Sequence, residues 1–97
     1  MRAIVNIMPG NAAAATGWRA REVKVHQPTA TLREILGATT LKDGATTLFQ
    51  LIADDGGLKP DFALFISGQL LRGPIDWDRA VTDSEQLHVC DWPMIDL

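Results

Sequence analysis

Four stretches of the chain carry the two-residue period of a β-strand. In RAIVNIM, residues 2–8, Ala3, Val5 and Ile7 share one face while Ile4 and Met8 add apolar weight to the other. That profile predicts a central strand covered on both sides. Residues 21–27 contain EVKVHQ, where Val23 and Val25 alternate with Glu22, Lys24 and His26, as in a half-exposed edge strand. DFALFIS is a near-continuous apolar run that predicts a strand over 62–67, and SGQLL turns at Gly68 into a second short strand. In EQLHVCDW, Leu87 and Val89 alternate with Gln86, His88 and Cys90, which predicts a last strand over 86–92 ended by Pro93.

Between these strands the period lengthens. TLREIL offers Thr31 and Glu34 as a capping box, Leu32, Ile35 and Leu36 as a helical stripe, and Gly37 as a stop. In DGATTLFQLIADDGG, Leu48, Leu51 and Ile52 form a helical face that Phe49 and Ala53 broaden, with Gly56 or Gly57 at its end. ATTLK either separates these helices or bridges one interrupted helical region. PGNAAAATGWRA, between the first two strands, has turn residues at its ends and reads as a long, mobile hairpin tip. RGPIDWDRAV reads as loop, with a helical turn around Asp78–Val81.

The order is thus hairpin, helix, strand, short strand, link, strand. Its compact solution is one α+β domain over residues 1–97, a mixed sheet wrapped over the helical region with the first and last strands parallel at its centre. This is the β-grasp arrangement.

Charge narrows the function. A net charge of −3 argues against general nucleic-acid binding, which needs a concentrated positive footprint. Residues 1–33 carry Arg2, Arg19, Arg21, Lys24 and Arg33 against Glu22, whereas residues 73–97 carry Asp76, Asp78, Asp83, Glu85, Asp91 and Asp96 against Arg79. That asymmetry predicts a basic edge and an acidic edge, either simply solvated or matched to a protein partner. The single cysteine, Cys90, cannot form an internal disulfide or a four-thiolate metal site, and a reducing cytoplasm is the economical location. The apolar start is interrupted by Asn6 and Pro9, too early for a membrane-spanning or secretory segment.

Candidate chemistry is sparse. His88 and Cys90 share a strand face, the minimum for a nucleophile and base or for two metal ligands, but further ligands and an oxyanion site are missing, so a structural role is expected. Asp54 and Asp55 before Gly56 and Gly57 lack the alternating oxygen ligands of a calcium loop and read as a solvated turn. PGNAAAATG lacks the spacing of a phosphate-binding loop. No catalytic, cofactor-binding or metal-binding residue is assigned, and the chain is expected not to be an enzyme. Trp18, Trp77 and Trp92 fall in or beside loops, where an indole either caps the edge of the core or anchors a partner.

FISGQLL followed by DSEQLHV resembles the strand–turn–strand and the approach to the last strand of ubiquitin-like proteins, and LFQLIADDGGLKPDF resembles the end of the ubiquitin helix and the loop after it. The stretch Asp83–Leu87 is also similar to the small sulfur carriers of molybdopterin and thiamine synthesis. The resemblance implies a ubiquitin-like β-grasp fold. In those carriers and in ubiquitin the tail ends in Gly-Gly, whereas this sequence runs Trp92, Pro93, Met94, Ile95, Asp96, Leu97, with no glycine after Gly73. The expectation is therefore a non-catalytic interaction module or accessory subunit. The alternatives are a divergent sulfur carrier and an auxiliary subunit of a multicomponent oxygenase. Trp18, Trp92, Met94, Ile95 and Leu97 are the expected partner-binding residues, with the tail docking on a protein partner or on a second copy.

Overall fold

In the computed structural model, residues 1–92 are described. Strands β1 (Arg2–Ile7), β2 (Ala20–Lys24), β6 (Phe62–Ile66), β7 (Gln69–Leu71) and β9 (Gln86–Asp91) form one sheet in the order β2-β1-β9-β6-β7. β1 and β9 run parallel at its centre, with Val5 beside Leu87 and Ile7 beside Val89, while the other pairs are antiparallel. This is the β-grasp order that the hydrophobic pattern predicts.

Helices α1 (Asn11–Thr16), α2 (Leu32–Gly37) and α3 (Leu48–Ile52) supply the other half of the core. Leu32, Ile35, Leu36, Leu48 and Ile52 are fully buried with Val5, Leu64, Leu87 and Val89, and Leu51 packs at the margin. The predicted capping box of α2 is present: the Glu34 amide donates to Thr31 Oγ1 at 3.1 Å and the Thr31 amide to Glu34 Oε1 at 3.3 Å. A second box, unforeseen from sequence, starts α3 at Thr47 and Gln50. α3 is shorter than predicted at both ends. Asp43 accepts from the amides of Ala45 and Thr46 in a turn before it, and after Ile52 the chain extends into the small hairpin of β4 (Ala53–Asp54) and β5 (Gly57–Leu58).

Two expected loops are structured instead. Residues 10–20 contain α1, because alanine is the best helix former and this run buries Ala12 and Thr16 in the core. Six residues make a marginal helix alone, so α1 depends on that packing and on a cap from across the fold. The Asp91 carboxylate accepts from the amides of Asn11 (2.6 Å) and Ala12 (3.1 Å), satisfying two donors that a helix start leaves unpaired. Gly10 sits at φ 145°, ψ −157°, a region only glycine occupies readily, and a Cβ there would clash with the Asp91 carboxylate. In place of a helical turn at 78–81, β8 (Ala80–Val81) pairs with β3 (Ala30–Thr31). The amides of Leu32 and Arg33 donate to the carbonyls of Arg79 and Trp77, which draws the link onto α2 and buries Trp77.

Val5→Asp or Leu87→Asp places an unpaired charge in a fully buried site and should cost more than about 3 kcal/mol, read as loss of the cooperative transition in denaturant melts. Gly10→Ala combines a strained backbone with a clash against the Asp91 cap. It should cost about 1–2 kcal/mol, and clearly less in an Asp91→Ala background, where the clash and the cap are already gone and only the backbone strain remains.

Candidate functional site: the open face of the sheet

The three helices and the buried link lie against the face that carries Ala3, Val5, Leu64, Leu87 and Val89. Strand alternation puts the intervening residues on the opposite face, and the register shows who meets whom. Ile4 lies between Glu22 and Gln86, Asn6 between Ala20 and His88, Phe65 between His88 and Leu70, and Ala63 beside Cys90. Met8 and Trp92 continue the outward positions beyond β1 and β9.

This face mixes polar residues with large apolar ones. The two exposed large hydrophobic residues among those described, Met8 (44% exposed) and Leu70 (41% exposed), both belong to it, and Ile4, Phe65 and Trp92 are half-buried. One register row across this face runs Asn6, His88, Phe65 and Leu70, polar on β1 and β9 and apolar on β6 and β7. The Arg72 guanidinium lies 4.1 Å over the Trp92 ring. The Trp92 amide donates to Asp61 O at 2.7 Å, so the last described residue is held at the end of the sheet.

His88 and Cys90 share this face, as their spacing predicts. Cys90, however, is buried beside Ala63, with its thiol 3.7 Å from the Ala63 carbonyl oxygen. Burial pushes the thiol pKa up and the Asp91 carboxylate adds to the rise, so the group stays a thiol at neutral pH and is a poor nucleophile.

The structure separates the expected anchors. Trp92 is on the open face. Trp18 follows α1 elsewhere, half-buried, with its Nε1 donating to Thr40 O at 3.2 Å and Arg21 4.6 Å above its ring. Trp77 belongs to the core. Met94, Ile95 and Leu97 lie outside the described residues. The sequence pattern puts Met8 on the outer face of the first strand without marking it as an anchor, and Phe65 and Leu70 were not singled out, because the continuous run FALFI hides which side chains face outward until the register with β9 and β7 is known.

The expected basic and acidic edges also meet in places. The Arg2 amide donates to Asp83 Oδ1 at 2.8 Å, and Arg33 Nε lies 3.5 Å from Asp78 Oδ1. Asp83 and Glu85 are held below their ordinary carboxylate range, Asp83 chiefly by the Arg2 amide and Glu85 chiefly by the Thr82 amide.

No family model and no curated protein matches the sequence. Among solved structures, the chain is similar to the crystal structure of SAMP1 from Haloferax volcanii, with a TM-score of 0.65 and 19% identity over 100% of this chain and 99% of that one. A second crystal structure, of the H. volcanii small archaeal modifier protein 1, matches with a TM-score of 0.63 and 20% identity over 92% of this chain and 94% of that one. The fold is that of a ubiquitin-like β-grasp protein. In this β-grasp chain, no group of three or more His, Cys, Asp or Glu side chains among the described residues could hold a metal ion. No helix among those residues is long and apolar enough to cross a membrane.

Two measurements test this electrostatic and chemical picture. In native protein a thiol-specific reagent should label Cys90 far more slowly than in denatured protein at the same pH. Because Asp83 and Glu85 have depressed pKa values when folded, their contribution to stability is present above the unfolded carboxylate pKa of about 4 and is lost as pH falls through the folded values. The melting temperature should therefore drop on acidification below about pH 4, and Asp83→Asn should flatten that drop.

Proposed function

We propose that this chain is a ubiquitin-like protein-interaction module, a non-catalytic accessory subunit that docks by surface complementarity through the open face of its sheet. The observation that carries this reading is that Met8, Phe65, Leu70 and Trp92 stand on the sheet face opposite the helices, Met8 and Leu70 among them exposed. Contiguous exposed apolar surface is uncommon on proteins that act alone, and aromatic anchors dominate the energetics of interfaces. The segment after Trp92 extends the same surface in this reading. Met94, Ile95 and Leu97 would supply further apolar contact and Asp96 an acidic rim, the Asp91 carboxylate being engaged in the cap of α1. Trp18, with Arg21 over its ring, is a separate, weaker anchor. The lone buried thiol suits a reducing cytoplasm.

The name of the matched structures, a modifier protein, favours one other reading, in which the chain is itself carried or conjugated through its terminus like the sulfur carriers. Intact-mass analysis of protein isolated from its native host separates the two. A thiocarboxylate or a covalent adduct would support the second reading, and an unmodified mass in a non-covalent assembly the first.

Leu70→Asp should leave the melting transition within about 1 kcal/mol of the parent, since Leu70 is exposed, while shifting the protein from its native assembly to the free monomer in size-exclusion chromatography of host extract. Deletion of 93–97 should act in the same direction. Unchanged assembly in both variants would remove the docking reading.

A further inference from the structure

On the helix side of the molecule, away from the open face, the start of α3, the β4–β5 hairpin and the link before β8 enclose a shallow cleft of about 610 Å³. Phe49 and Trp77 form its aromatic part, their rings 5.1 Å apart and edge to face, and Asp54, Asp55, Asp76 and Asp78 stand around it, all exposed. One cation already sits there. The Arg33 guanidinium lies 5.4 Å over the Phe49 ring, with its Nε 3.5 Å from Asp78. That arrangement displays the chemistry the cleft accommodates, a cation held between an aromatic face and a carboxylate. Among the described residues, Asp54, Asp55 and Asp76 have no ion-pair partner.

A second, independent observation concerns the Trp77 indole. The side chain lines the cleft, the residue is only 6% exposed, and its Nε1–H is the one buried side-chain polar atom among the described residues without a hydrogen-bond partner. An unsatisfied buried donor is costly, and an acceptor carried in by a ligand is one way to satisfy it.

We infer that this cleft binds a lysine- or arginine-rich peptide segment of a partner protein. The cationic side chains would meet Asp54, Asp55 and Asp76, and a peptide carbonyl would take the Trp77 Nε1–H as the cleft wall adjusts. Carboxylates and an aromatic wall select a cation, and the unpaired donor buried on the Trp77 side chain that lines the cleft selects an acceptor once the wall adjusts. A basic peptide carries both groups on one backbone. The surface is distinct from the open sheet face, so it stands or falls separately from the docking reading.

The test is a titration of ¹⁵N-labelled full chain with a short lysine-rich peptide, using a glutamate-rich peptide of the same length as control. The lysine-rich peptide should shift the Trp77 indole N–H and the amides of residues 54–56 and 76–78, with an affinity that falls as salt rises. Asp54→Asn/Asp55→Asn, at exposed positions that leave the fold intact, should weaken binding about tenfold. Arg33→Gln, which removes the resident cation, should tighten it. Absence of these shifts, shifts confined to other surfaces, or equal affinity for the Asn variant would overturn the proposal. So would movement of the same resonances with protein concentration alone, since the occupant would then be a second copy.

Discussion

The parallel pairing of β1 with β9 is the interaction on which the rest of the structure depends. It joins the two ends of the described chain, setting Val5 beside Leu87 and Ile7 beside Val89, all buried on the helix side. Every other element is placed by reference to this pair. β2 adds to the outer edge of β1, β6 and β7 add to the far side of β9, and α2 and α3 cross over the face the pair presents. Because its partners are about eighty residues apart in sequence, the pairing needs the whole intervening chain to be closed into a loop. Such contacts favour cooperative, comparatively slow folding.

The same strand links the core to the surface that carries the proposed function. β9 turns Leu87 and Val89 inward and His88 and Cys90 outward. At its end, Asp91 caps α1 while Trp92 bonds to the Asp61 carbonyl and lies under Arg72. The exit of the chain from the sheet is thus fixed by contacts to three parts of the fold. Anything bound to the open face would meet Trp92, whose position is set by these contacts.

Much of the architecture was legible because strand and helix periods differ and each apolar stripe here keeps to one of them. The alternation of Ala3, Val5 and Ile7, the Thr31–Glu34 box and the glycine turn at Gly68 each specify a local structure that the tertiary fold retains. α1 was not legible, since its stability comes from Asp91, which lies eighty residues along the chain, and from burial of small alanines that look like linker in sequence. The β3–β8 ladder and the burial of Trp77 depend on backbone bonds from α2 to the link, which leave no periodic trace. Of the candidate site, Trp92 could be singled out from its position, whereas Phe65 and Leu70 required the register of β6 between β9 and β7.

The central claim is that the uncovered sheet face is the docking surface, and site-specific photo-crosslinking in the native host tests it most directly. A photoreactive residue at Leu70, on the open face, is compared with one at Glu34, exposed on α2. The account predicts a discrete protein adduct from position 70, lost when Met8 or Phe65 is changed to Asp, and none of that size from position 34. Adducts from position 34 with none from position 70 would contradict it.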